Sequence, residues 1–147
     1  MISHNFLTRR VRVNRNRSPY EAIEATNRKL YLDRKVVGSM RRGEGDEVEV
    51  FFFKPGRYLT DADLSREYKL HELIPVDPYS LAAVNEADSA FAFTRPNATH
   101  WKDSDGKWCY IAFLSDSPGL ETERRVVVGS DNVVWSDDYW FAGIQKK

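Results

Sequence analysis

A chain of 147 residues with 41% hydrophobic and 13% aromatic content is long enough to bury a core and too apolar to be disordered. Its 22 basic and 22 acidic side chains cancel, which excludes a whole-molecule attraction to nucleic acid or anionic membranes. The charge is uneven, though: Arg9, Arg10, Arg12, Arg15 and Arg17 give the first 17 residues a charge of +5, leaving −5 for the remaining 130.

In chain order, the first predicted element is a strand over 8–13, with Val11 and Val13 inward and Arg10 and Arg12 outward. Ser18-Pro19-Tyr20-Glu21 then opens a helix. Ser18 caps it, Pro19 suits the first helical position, and Glu21 reaches back to close a capping box. Tyr20, Ile23 and Asn27 carry the helical spacing to about Arg28. Asp33 caps a shorter turn through Val37. A charged, glycine-containing loop, Arg41–Gly45, leads to the clearest strand, Asp46–Lys54. Val48, Val50 and Phe52 share one of its faces; Glu47, Glu49, Phe51 and Phe53 share the other, which changes from solvated to covered halfway along.

Pro55-Gly56 turns the chain, and Thr60 caps a helix with Asp61 and Asp63 at its positive end and Leu64 and Tyr68 buried. The proline-containing stretch LHELIPVDP is extended, and Asp77-Pro78 opens a helix to about Glu86. Ser89–Thr94 alternates Phe91 with Phe93 and reads as a strand. Beyond it, strands at 107–114, 124–128, 133–136 and 139–145 read as an antiparallel meander, with turns at Asp103–Gly106, Ser117-Pro118-Gly119 and Gly129–Asn132. No repeat or linker interrupts the chain. The expected fold is a single α+β domain over 1–147, its helix-bearing N-terminal half packed on a mostly antiparallel, aromatic-rich C-terminal sheet.

Several segments together resemble a group of small, uncharacterised bacterial proteins. They are VNRNRSPYEAIEA (13–25), EVEVFFFKPGR (47–57), LHEL (70–73), HWKDSDGKW (100–108) and WSDDYWFAGIQKK (135–147). That group shares a V-N-Y-x-R-S-like helix entry, an A-E-V-E-V strand, a W-x-D-x-D-G hairpin and a final W…F-A-x-V-R-K strand. Arg15 stands where a tyrosine is usual, and Ile144-Gln145 replaces Val-Arg. The group has no assigned activity, so the resemblance implies a fold and not a function. The ending is also similar to the last strands of C-type-lectin-like domains, where tryptophans pack under an irregular ligand-facing surface.

Motifs for catalysis and metal binding are sparse. Cys109 is the single cysteine, and His4, His71 and His100 lack metal-ligand spacing, so neither a metal nor another cofactor is expected. DSDG at 103–106 fails as a calcium loop because Lys107 and Leu114 occupy ligand positions. His100 and Cys109 are the one base–nucleophile pair. They face each other if Asp103–Gly106 is a four-residue loop and separate if Asp105-Gly106 is a two-residue turn. Asp61 and Asp63 are explained by the helix start, and Asp137 and Asp138 by a solvated turn.

Arg12, Arg15 and Arg17 could hold a phosphate or nucleic acid beside the helix start; the competing reading pairs Arg10 and Arg12 with Glu47 and Glu49. Trp101, Trp108, Tyr110, Trp135, Tyr139 and Trp140, edged by Arg124 and Arg125, suggest a binding surface for a protein partner or a second copy. No run approaches the ~20 apolar residues of a membrane span. The start lacks a signal-peptide pattern, so the expected location is the cytoplasm. The sequence therefore predicts a non-catalytic binding module. Anion binding through the arginines and a Cys109/His100 enzyme are the alternatives.

Overall fold

The computed structural model describes residues 6–115, 123–130 and 132–146. Strand β1 (Leu7–Arg12) is followed by α1 (Pro19–Glu24), β2 (Lys29–Leu32), α2 (Arg34–Gly38) and β3 (Glu47–Phe53). Next come α3 (Asp61–Leu70), β4 (Leu73–Pro75), α4 (Pro78–Ala87) and the single turn α5 (Phe91–Thr94). The chain closes with β5 (Asn97–Lys102), β6 (Trp108–Ser115), β7 (Arg124–Ser130) and β8 (Trp140–Gln145).

The helix starts follow local chemistry. Ser18 and Thr60 each close a capping box, with Glu21 and Asp63 respectively, and Asp33 and Asp77 accept first-turn N–H groups of α2 and α4. Helix α1 ends four residues short of Arg28. Ala25 is its C-cap, Asn27 adopts a left-handed φ of 55°, and the chain leaves as β2, a strand that the sequence did not announce.

All eight strands enter one sheet of order β1-β3-β8-β5-β6-β7-β2, with β4 also pairing β8. The α+β class and the mostly antiparallel sheet are as expected, and strands from the N-terminal half run through the same sheet. Two pairings are parallel, β2 with β7 and β5 with β8. The meander therefore stops at β7: β8 returns beside β5, and 133–136 contributes only an isolated bridge between Trp135 and Leu59. The predicted turn at Ser117–Gly119 lies outside the described residues, as does Asp131 of the next one.

Ser89–Thr94 is not a strand. Phe91 and Ala92 turn inward within α5, where Phe91 packs on Phe52 at 4.9 Å, while Phe93 stays exposed. Burial of one phenylalanine, not alternation of two, decides the local conformation.

Helices cover both sheet faces. One carries Val50, Phe52, Ile111, Phe113 and Val126 against α1, α2, α4 and α5. The other carries Phe53, Ala98, Ala112 and Phe141 against α3 and the segment around Trp135. Burial of Phe53 confirms the covered second half of β3.

Candidate functional site

The β5–β6 hairpin sets the register of the site. Its loop has five residues, 103–107. The Asp103 carboxylate accepts the N–H groups of Asp105 and Lys107 at 2.9 Å each, and Gly106 takes a φ of 77°. Lys102 therefore faces Trp108, Trp101 faces Cys109, and His100 faces Tyr110. Neither register expected from the turn residues is adopted. Because side chains alternate between faces, His100 and Cys109 lie on opposite sides of the sheet, and the Cys–His pair does not exist. Cys109 is buried among Trp101, Ile111 and Phe113. Burial and the neighbouring Asp103 push its thiol up, away from the reactive thiolate.

His100 has a different partner. Its Nδ1 lies 2.8 Å from Oδ1 of Asp61, and that same oxygen accepts the Trp135 indole N–H at 3.1 Å. Asp61 is the first residue of α3, where the helix dipole favours a carboxylate. Asp63, at the third position, suffices for the capping box, so Asp61 is surplus to the helix start. That surplus acid was the sequence signal for this contact. With Oδ1 as shared acceptor, neutral His100 is the Nδ1–H tautomer and Nε2 carries the lone pair.

The imidazole sits in a stack that runs from core to surface. The ring stacks with Tyr68 at 5.6 Å and with Trp108 at 4.0 Å, planes 13° apart in the second pair, and the Lys102 ammonium lies over Trp108 at 4.9 Å. Tyr68 reaches this position because Gly143 lacks a Cβ, which would meet Tyr68 Cε1 at 3.1 Å; its hydroxyl donates to the Ala142 carbonyl at 2.6 Å. His100 is 1% exposed, and its Nε2 has no hydrogen-bond partner among the described residues. A buried acceptor left unpaired costs about 1–3 kcal/mol.

Beside this stack, between β4 and β5, opens a cleft of about 480 Å³. His100, Trp101 and Trp108 line it together with Val48, Ile74 and Ile144. Arg41 and Lys102 stand at its rim. Arg41 donates to the Lys102 carbonyl, and neither cation has a carboxylate partner among the described residues. Two acids also border the cleft; Asp77 is taken up by Arg15 at 2.7 Å, leaving Glu44.

The other predicted binding residues do not form one surface. Trp101 and Trp135 are buried, and Trp108, Tyr110, Tyr139 and Trp140 are half-buried. Tyr110, Trp135 and Tyr139 meet edge-on in the α3-side core and border a separate cleft of about 200 Å³. Burial, with Asp138 and Tyr110 nearby, pushes the Tyr139 phenol up to about 12. Trp140 packs on the opposite core beneath Arg95. Arg124 is exposed on β7, and Arg125 lies over Tyr31 and near Glu123. Alternation on a sheet covered on both sides hides aromatics on both sides.

The arginine segment is mostly committed to structure. Arg15 donates to the carbonyls of Arg42, Glu44 and Gly45 and to Asp77 and Ser80, which ties the 42–45 loop to the start of α4. Arg17 makes a two-pronged pair with Glu86 at 2.7 and 3.3 Å, and Arg10 pairs with Glu47 and Glu49. Arg12 is exposed, with no ion pair among the described residues, in a groove of about 710 Å³ that Glu86 and Asp46 also line. An anion site built from all three is therefore not assembled.

Among the described residues, no three His, Cys, Asp or Glu side chains converge as metal ligands, and no helix is long and apolar enough to cross a membrane. Comparison with protein families, with curated proteins and with solved structures finds no match for this chain. The roles of these residues rest on the geometry of the site itself.

Proposed function

We propose that this protein is a non-catalytic binding module whose ligand is a small amphipathic molecule, with a flat apolar body and an anionic group, held in the cleft between β4 and β5. One observation carries this reading: the cleft joins an apolar wall of two indoles and four aliphatic side chains to two rim cations, Arg41 and Lys102, without carboxylate partners among the described residues. Ligand sites of this size combine mostly apolar walls with a few placed polar groups. The C-terminal aromatics keep their binding role here, as walls of a cleft rather than as a patch for a protein partner or a second copy.

The test is calorimetric titration with 2-naphthoate and its uncharged counterpart 2-naphthamide. Saturable binding of naphthoate, at least about tenfold tighter than naphthamide, is expected. Lys102→Ala and Arg41→Ala should each erase part of that difference. No binding of naphthoate, with a stable dimer in sedimentation velocity, would instead support self-association. Salt-sensitive retention of nucleic acid that Arg12→Ala abolishes would move the function to the arginine groove.

A further inference from the structure

The cleft reading leaves one buried group unexplained, and that group specifies the ligand further. The His100 ring stacks with Trp108 at 4.0 Å and with Tyr68 at 5.6 Å, and its Nδ1 meets Asp61. His100 is one of the residues lining the cleft, its side chain is closed to solvent, and its Nε2 has no hydrogen-bond partner among the described residues. We propose that Nε2 is the specificity-determining acceptor of the cleft, and that the ligand carries an O–H or N–H group that donates to it. The proposal rests on the cleft being the binding site.

The chemistry follows from the tautomer. An Nδ1–H donated to Asp61 leaves the lone pair of the uncharged ring on Nε2, which then accepts. Trp135 fixes Asp61 from the other side, so the carboxylate is positioned by two elements, α3 and the segment before β8. A donor at Nε2 would satisfy an acceptor that the protein leaves unpaired. A ligand of the same shape without the donor would bury that lone pair against carbon. Sites built to hydrogen-bond a ligand reject the analogue lacking the group for this reason.

Access involves Trp108. Nε2 is sealed from solvent in this packing, and the half-buried indole lies directly over the imidazole. Beyond it the indole meets only the Lys102 ammonium in the stack. Entry of a donor therefore displaces Trp108, and its fluorescence reports the event. His100, Trp108 and Lys102 then act in series: acceptor, cover and rim charge.

The experiment uses a matched pair on the full chain, 6-hydroxy-2-naphthoate and 6-methoxy-2-naphthoate. Both carry the carboxylate and the flat body; only the first can donate. The hydroxy compound is expected to bind about tenfold or more tightly than the methoxy compound. His100→Asn keeps a donor toward Asp61 but removes the distal acceptor, so the ratio should fall to near one. Nitrogen NMR of the ¹⁵N-labelled native chain provides a readout independent of the variant. It should show Nδ1 protonated and Nε2 bare, with the Nε2 signal moving on addition of the hydroxy compound alone. Equal affinities for the two naphthoates, or a proton on Nε2 in the free protein, would overturn this proposal and leave the cleft reading standing. Failure of both compounds to bind overturns both.

Discussion

On the face of the sheet covered by α4, the buried amides and Thr99 are satisfied, while Arg28, over Phe113, donates to the Ser89 carbonyl from Nη2 and leaves Nε and Nη1 unpartnered among the described residues. Asn85 and Asn97 exchange side-chain hydrogen bonds at 2.8 and 3.1 Å, Thr99 donates to the Val76 carbonyl at 2.8 Å, and aliphatic and phenyl groups fill the rest. On the face covered by α3, the polar centre of Asp61, His100 and Trp135 is held as firmly, yet one atom of it is left over. Paired buried polar groups stabilise and specify a core; an unpaired one is a standing cost. The unpaired atoms differ in kind: guanidinium donors on the α4 face, and on the α3 face a ring nitrogen of a histidine that lines the β4–β5 cleft.

The largest effect should come from the α4 face. Phe52 is fully buried against Phe91, and Phe52→Ala should cost about 3–5 kcal/mol in urea denaturation. On the other face, Asp61→Ala strands the His100 and Trp135 donors and should cost about 2–3 kcal/mol. Asp61→Asn, which keeps an acceptor oxygen, should cost less. An Asp61→Ala variant as stable as the parent would erase the contrast between the faces.

Smaller effects concern the arginines and the thiol. Arg15→Ala should lose about 1–2 kcal/mol and accelerate amide exchange at 42–45, because the loop loses its tie to α4. Arg12→Ala, on the exposed strand, should change stability by less than about 0.5 kcal/mol. The Cys109 thiol, pushed up by burial, should resist alkylation at neutral pH until the chain unfolds. The linkage sign follows. Its raised value contributes stability that is complete below the ordinary thiol range and lost as the pH rises through the folded value. Rapid alkylation of folded protein at pH 7 would contradict the placement of Cys109 in the core.

Much of the architecture was legible residue by residue. Ser18, Asp33, Thr60 and Asp77 each cap a helix where a capping residue precedes a helical pattern, because a cap is satisfied within three residues. The alternation of β3 gave both of its faces. Less local features escaped. Strand β2 is short, mostly exposed and defined by parallel pairing with residues nearly a hundred positions away. Phe91 and Phe93 alternate like a strand, yet the pocket beside Phe52 selects a helical turn. Of the candidate site, His100, Trp101 and Trp108 are singled out in the sequence, Asp61 is noticed but assigned to the helix start, and Arg41 and the β4 wall are not singled out.

By itself, the sequence determined the helix starts, the strand faces and the α+β class, since these depend on hydrogen bonds and periodicities spanning a few residues. Only the tertiary structure decided which groups meet. A five-residue loop rather than a four-residue one moved Cys109 away from His100, and sheet order brought Asp61 to His100 across 39 positions. Register has a period of two residues, so a shift of one residue reverses a side chain's face. That sensitivity turned a suspected thiol–imidazole pair into a carboxylate–imidazole pair on the opposite side of the sheet.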